Sequence, residues 1–399
     1  MKIVHIEDFF HPDAGYQVNI LAKYFAKKGH DVVVVTAEMD KIPDELTSFF
    51  GKNNIKEKDK EYEKKYNVQI IRVPVKRYVS GRVIYDKSIN KIVNNLVPDI
   101  LYVHGNDTFI GIMYTLRVKK LQYPILTDSH MLAMASKNKF SKIFRWIYKA
   151  IVAPKIRKYE IPVIRTQNDN YVEKCLLIPL SQSPWISYGS DMMLFHQDYQ
   201  KKKEFRTQNG ISMDDFVVVF AGKLIESKGA MLLASAFKDL FDTNKTVVLI
   251  AVGNTSGQYG QEVEETFSCS ENRILRFPTQ KYQDLAIYYQ ASDLAVFAKQ
   301  CSLSFYDVQA CGLPVVSENN NINAERCSHG NGACFKEGSI DDFRKKISFF
   351  INMPKEQFNN YSQNSINYIK GEYDYDKKAD EYLNIIYETY SKWEEKKNG

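Results

Sequence analysis

"KIVHIEDFFHPDAGYQVNILAKYFAKKGHDVVVVT", residues Lys2–Thr36, decides the fold. Its first apolar run, Lys2–Ile6, and its last, Asp31–Thr36, are short and rich in β-branched residues, the pattern of strands buried on both faces. Between them Val18, Leu21, Ala22 and Phe25 repeat at helical spacing, and Gly29 stands where a helix stops. The stretch reads strand–helix–strand, and a right-handed crossover makes the two strands parallel. Outward from it the rhythm continues, and strands are expected at Gln69–Val75, Asp99–Val103, Pro124–Asp128, Val163–Thr166 and Trp185–Tyr188.

The rhythm restarts after the polar stretch Gln197–Asn209. Phe216–Ala221, Thr246–Val252, Ile274–Phe277, Leu294–Phe297 and Pro314–Ser317 read as a second set of strands. The fold class expected is α/β, with two doubly wound, Rossmann-like domains at residues 1–197 and 198–374. Tyr375–Trp393 is aromatic, charged and helical. Ligands of such sheets lie beyond the carboxyl ends of the strands, so two facing domains would place a site in a central cleft.

A length of 399 residues suits two domains, and 44% hydrophobic with 26% charged residues is a globular composition. No apolar run reaches the ~20 residues of a membrane span, and residues 1–20 lack the form of a signal peptide. Six cysteines without a C-x-x-C pair exclude a disulfide scaffold, disfavour a zinc site and fit a reducing cytoplasm. The net charge of +6 is uneven: residues 1–200 hold 30 Lys+Arg against 21 Asp+Glu (+9), and the remainder 24 against 27 (−3). A basic first half suggests that it meets something anionic. Lys137–Lys158 carries eight of the cations and no acid: Lys137, Lys139, Lys142, Arg145, Lys149, Lys155, Arg157 and Lys158. Phe140, Ile143, Phe144, Trp146, Ile147 and Ile151 are threaded among them. That mixture suits a basic amphipathic helix on anionic lipid headgroups; the plainer alternative is a helix with its apolar face in the core. Asn53–Lys65, charged with both signs, reads as a solvated loop or helix. No recognised nucleic-acid motif accompanies the basic segment, so nucleic acid is not an expected partner.

Four constellations fall at expected strand ends. Pro12-Asp13-Ala14-Gly15-Tyr16 precedes the first helix, where a glycine lets backbone approach a ligand. Thr127-Asp128-Ser129-His130 ends a strand with a histidine able to bond a sugar hydroxyl or move a proton; His104, ending the preceding strand, is a weaker candidate. Ala221-Gly222-Lys223-Leu224 and Ser227-Lys228-Gly229 put two lysines around a strand-to-helix turn, suited to a diphosphate but without the P-loop pattern. Lys299-Gln300-Cys301-Ser302-Leu303-Ser304 leads to Asp307, with small residues that can offer backbone N–H groups to phosphate. Each taken singly has a plain structural explanation.

Their order resembles a known pattern. "GYQVNILAKYFAKKGHDVVVVTA", "ISYGSDMMLF", "VVVFAGKLIESKGAMLLASAF", "YYQASDLAVFAKQCSLSFYDVQACGLPVV" and "AERCSHGNGACF" are together similar to glycosyltransferase family 4, of GT-B fold. The resemblance implies retaining, metal-independent transfer from a nucleotide-diphosphate sugar, a UDP-sugar foremost, with no resident cofactor. It implies an acceptor-binding first domain, a donor-binding second domain, and a C-terminal helix over 375–399 packing back on the first. Gly15 and Tyr16 would lie at the donor diphosphate, His130 at the transferred sugar, and Gly222, Lys223 and Lys228 at the diphosphate. Ser302, Leu303 and Ser304 would bind the donor through backbone, and Asp307 its ribose. His130, Lys223 and Lys228 are thus the implied catalytic residues, and no metal ligand is implied.

This chain departs from the pattern in four places. Tyr16 stands where many members have a second glycine, Lys223 replaces an arginine, Asp307 is a shortened glutamate, and Lys299 reverses the charge of the first of the family's paired glutamates. Lys299 suggests an altered donor preference, an acidic sugar among the choices. The expected protein is a cytoplasmic, membrane-peripheral transferase building a lipid-linked glycan. A transferase acting on a soluble acceptor and a catalytically impaired nucleotide-sugar binder are the alternatives.

Overall fold

In the computed structural model the described residues are 1–42, 51–131 and 141–398. They divide into two units, Met1–Tyr188 with Tyr375–Gly399, and Gly189–Asp374. The strands are β1 (Lys2–Glu7), β2 (Asp31–Ala37), β3 (Val68–Val73), β4 (Val75–Val79), β5 (Arg82–Tyr85), β6 (Ile100–Val103), β7 (Ile125–Ser129), β8 (Val163–Arg165), β9 (Phe216–Ala221), β10 (Val247–Val252), β11 (Arg273–Phe277), β12 (Leu294–Phe297), β13 (Val315–Glu318) and β14 (Gly332–Phe335).

The first unit holds a parallel sheet of order β3-β2-β1-β6-β7-β8, and the second one of order β11-β10-β9-β12-β13-β14. Both follow the doubly wound order, with topological switch points between β1 and β6 and between β9 and β12. Val4 pairs in register with Val33 on one side and Leu101 on the other, which is why these runs are apolar at every position. Helix Gln17–Lys27 buries Val18, Leu21, Ala22 and Phe25, the residues whose spacing announced it. The C-terminal helix, Tyr375–Asn398, belongs to the first unit: it buries Ala379, Tyr382 and Ile386, bonds Tyr382 Oη to Gln17, and sets Tyr387 Oη 3.0 Å from His30 Nε2.

The expected boundary at 197/198 lies inside the second unit. Ser190 N–H donates to Tyr373 O at 2.7 Å and its hydroxyl to Asp307 Oδ1 at 2.8 Å, which ties the chain from Gly189 onward into that unit. Pro74 breaks the expected strand Gln69–Val75 into β3 and β4, because proline supplies no ladder N–H. β4 and β5 form an antiparallel hairpin through Ser80 (φ 50°) and Gly81 (φ 81°), the positive pair a tight hairpin turn requires. Trp185–Tyr188 is no strand: Trp185 makes a single bridge to Arg165. The charged stretch Asn53–Lys65 carries the helix Ile55–Tyr66, and it is docked rather than merely solvated. Arg72 grips Asp59 through Nε and Nη2 at 2.7 and 2.8 Å, and Tyr62 is buried.

Candidate functional site

The carboxyl ends of β1, β6 and β7 gather the polar residues of the first unit. Asp128 is fully buried and accepts four hydrogen bonds: Tyr102 Oη (2.8 Å), His104 Nδ1 (2.7 Å) and Gly105 N (2.7 Å), with His130 Nε2 at 3.0 Å. Burial works to raise the Asp128 pKa, but His130 and His104 outweigh it and hold the carboxyl well below its ordinary range. His104 turns its other nitrogen to His5 Nδ1 at 3.0 Å, and burial holds His5 neutral, well below the usual imidazole range. His130 Nδ1 stands 2.6 Å from Tyr188 Oη and 3.3 Å from Thr166 Oγ1. Burial opposes its charge, yet Asp128 and Tyr188 raise its pKa well above the ordinary value. Both ring nitrogens are engaged, so a free nitrogen for a sugar hydroxyl or a proton shuttle, as the sequence suggested, is absent from this arrangement. The His130 side chain remains over a third exposed (37%).

His104, Asp128 and His130 also offer ligand atoms within 4.8 Å of one another. The hydrogen bonds just described join both imidazoles to the one carboxylate and account for the approach. At the end of β1, burial raises the pKa of Glu7, and burial followed by the Glu7 charge brings Asp8 to about 7. Asp8 Oδ2 accepts from Val83 N at 3.2 Å, while its buried Oδ1 has no partner among the described residues. Gly15 and Tyr16 follow this strand. The turn is pinned by Lys58 to Asp13 at 2.8 Å, and Tyr16 is exposed at the N-cap of Gln17–Lys27 with no side-chain cap.

In the second unit Gly222 and Lys223 leave β9, and Lys223 is exposed. Gly253, at the end of β10, has φ 146°, and a Cβ there would lie 1.9 Å from Gly222 O. Only glycine at 253 lets the two strand ends meet. Lys228 closes the next turn, half-buried, and burial lowers its pKa against an opposing effect of Cys301. Gly229 (φ 70°) sits so close to Ala298 and Lys299 that an added Cβ would approach them to 3.1 and 3.0 Å. Lys228, Lys299 and the loop through Cys301 are thereby brought together. Gln300 holds a left-handed φ of 62°, a strained choice for a non-glycine residue. Arg326 Nη1 donates to Ser302 O at 3.1 Å and fixes the loop carrying Ser302, Leu303 and Ser304 into helix Ser304–Ala310, which no side chain caps.

Asp307 is buried, not a surface acid. Its Oδ1 accepts from Ser190 Oγ at 2.8 Å and Tyr282 Oη at 3.3 Å. Tyr188, Ser190, Gly253 and Arg326 are site residues that sequence reasoning did not single out. Tyr188 and Ser190 lie within the quoted "ISYGSDMMLF", so the signal was present, but their partners are distant in the chain.

Two units of this strand order define the GT-B fold. Solved structures share it over nearly the whole chain. Sucrose-phosphate synthase from Thermosynechococcus elongatus has a TM-score of 0.71 at 15% identity, covering 98% of this chain and 99% of that one. Anabaena Alr3699/HepE in complex with UDP and glucose has a TM-score of 0.69 at 16% identity, covering 97% and 100%. Residues 201–368 match the family model of glycosyl transferases group 1. The D-inositol 3-phosphate glycosyltransferase of Segniliparus rotundus is 28% identical over 137 residues, 32% of this chain and 30% of that protein. The chain spans less than half the length of the curated relatives it matches.

Proposed function

We propose that this chain is a family 4-type glycosyltransferase that moves a sugar, with retention, from a nucleoside-diphosphate sugar to an acceptor hydroxyl. The observation that carries the reading is Lys228. It is a half-buried ammonium held beside the loop Lys299–Ser304, inside the segment that matches group 1 glycosyl transferases. Negative charge grows on the departing diphosphate in the transition state, and a cation fixed there lowers the barrier without a metal. Gly222, Lys223 and the backbone of Ser302–Ser304 complete the diphosphate contacts, and Asp307 takes the ribose. UDP is the favoured nucleotide, supported by the UDP-bound Anabaena neighbour. The departing phosphate is the base for the acceptor hydroxyl. By the resemblance, Gly15 and Tyr16 are assigned to the diphosphate as well, and His130 to the transferred sugar.

Membrane association of a lipid-linked acceptor is supported by the second apolar face of residues 141–159. Tyr148, Val152 and Ile156 are buried in the core, whereas Ile143 (59%), Trp146 (71%), Ile147 (43%) and Ile151 (52%) are exposed. Lys142, Lys149, Lys155, Arg157 and Lys158 flank that stripe; Lys137, Lys139 and Phe140 lie outside the described residues. An apolar stripe rimmed by lysines fits an anionic bilayer surface better than open water. No helix among the described residues is long and apolar enough to cross a membrane. The reading places the protein at the inner face of a bacterial-type plasma membrane, in polysaccharide or glycoconjugate synthesis.

A thermal-shift panel of nucleotide sugars tests the donor site. A donor present at about 100 times its Kd stabilises by about 2.7 kcal/mol. One UDP-sugar should shift Tm, and Lys228→Ala should abolish the shift; a panel without any shift contradicts the reading. Retention is read from the anomeric proton of the product.

A further inference from the structure

We infer that a groove at the amino ends of β7 and β8 holds one anionic phospholipid of the membrane surface, its acyl chain on an apolar floor and its phosphate among lysines. The inference rests on the membrane-peripheral reading, not on the donor site, and gives that reading a specific lipid site.

The groove lies wholly within the first unit and encloses about 920 Å³, the size of a ligand site. Pro124 and Pro162, which line it, directly precede β7 and β8. Asp128 and His130 stand at the other end of β7, about 13–20 Å along the chain from Pro124 at ~3.3 Å per residue. The groove is therefore separate from the polar cluster around Asp128.

The C-terminal helix supplies one wall. Its Ala379, Tyr382 and Ile386 are buried in the core. Ile385, Thr389 and Trp393 recur at every fourth residue along the groove, beside a second row of Glu388, Lys392 and Lys396. Leu121, Ile125 and Ile161 add to the apolar floor, and Trp393 is half-buried against it. The charges are Lys119, Lys158, Lys392 and Lys396 against Glu160 and Glu388. Lys396 Nζ lies 2.5 Å from Glu160 Oε2, which leaves three lysines against Glu388. The excess selects an anion and the floor selects an aliphatic chain. A phospholipid of net negative charge joins the two in one molecule, whereas a free phosphate leaves the floor in water.

Continuity with the exposed stripe says where that lipid comes from. Residues 141–159 form one helical run. Its exposed Ile143, Trp146, Ile147 and Ile151 lead to Lys158 and Tyr159 at the groove. Lys155 and Lys158 both stand over the Tyr159 ring, at 5.9 and 5.8 Å. Headgroups that meet the stripe are thus continuous with the lysines of the groove.

Trp393 is the reporter. The chain has three tryptophans, so Trp146→Phe with Trp185→Phe leaves Trp393 alone, and Trp185→Phe with Trp393→Phe leaves Trp146 alone. Monomeric lauroyl lysophosphatidylglycerol, kept below its micelle concentration, should change Trp393 emission saturably. The lysophosphatidylcholine of the same chain should need about 10-fold more lipid. Lys119→Glu with Lys392→Glu should raise the half-saturating phosphatidylglycerol concentration about 30-fold, with wild-type circular dichroism. No saturable change at Trp393, or equal binding of the two lipids, overturns the inference even where vesicles of brominated phosphatidylglycerol quench Trp146. Vesicles that quench neither tryptophan overturn the membrane reading, and the inference falls with it.

Discussion

His130 Nε2 lies 3.0 Å from Asp128 Oδ1, so a partly exposed ring at the carboxyl end of β7 stands on a fully buried carboxylate. Three further donors converge on that carboxylate from β6 and the turn after it. The sheet's switch point is therefore organised around one negative charge, and removing that charge has consequences for stability and for the site.

Asp128→Asn leaves the donors of Tyr102, His104, Gly105 and His130 facing a neutral amide. Breaking one partner out of a buried ionic network costs about 3–5 kcal/mol. Urea unfolding at about pH 7 should show a loss of that order. The Asp128 pKa is depressed in the fold, so its contribution exists above the unfolded value of ~3.9 and fades as pH falls through the lower folded value. The wild-type and variant curves should thus converge in strong acid.

Asp8 has the opposite sign. Its folded pKa of about 7 exceeds the unfolded one, so the folded state is penalised as pH rises above ~3.9, and fully so beyond about 7. Asp8→Asn, which keeps an acceptor for Val83 N, should stabilise the protein by about 1–3 kcal/mol at about pH 8 and by almost nothing at about pH 4. Denaturant midpoints at the two pH values check this.

Gly253→Ala should be far costlier than Gly257→Ala. At 253 the new Cβ meets Gly222 O at 1.9 Å, whereas at 257 it meets nothing within 4 Å and only the positive φ of 65° resists. The expected losses are about 3 kcal/mol or more at 253 and about 1 kcal/mol at 257. Weakened nucleotide binding should accompany only the first, because it displaces the turn leading to Lys223.

Replacing Lys142, Lys149 and Lys155 by Glu should weaken binding to phosphatidylglycerol vesicles by about 100-fold or more, at about 1 kcal/mol per lysine near an anionic surface. Trp146→Ser should weaken it in high salt as well, where lysines are screened. Sedimentation that is unchanged in both variants would favour a soluble acceptor.

The parallel sheets were legible because strands buried on both faces are apolar throughout. Val33 and Leu249 have no polar side to show. β14 escaped because Gly332-Ala333-Cys334-Phe335 carries one large apolar residue among Gly and Asn neighbours, which reads as loop. The role proposed for Lys228 was legible from its place in a strand-to-helix turn. The bonds of Asp307 were not, since Ser190 lies 117 residues away and nothing local marks it. Charge patterning marked residues 137–158 as unusual, but not which apolar side chains face solvent. The exposed stripe appears only once Tyr148 and Val152 are seen to fill the core.

If Lys228 stabilises a nucleoside diphosphate leaving a sugar, its removal must slow that departure without unfolding the protein. The decisive quantity is the rate of nucleoside-diphosphate release from a panel of UDP-, ADP-, GDP- and TDP-sugars, in wild-type protein and in Lys228→Ala. Turnover of a UDP-sugar is expected in the wild type, with a fall of about 100-fold or more in kcat for Lys228→Ala and Tm unchanged. Release from no donor, or equal rates in the two proteins, would contradict it.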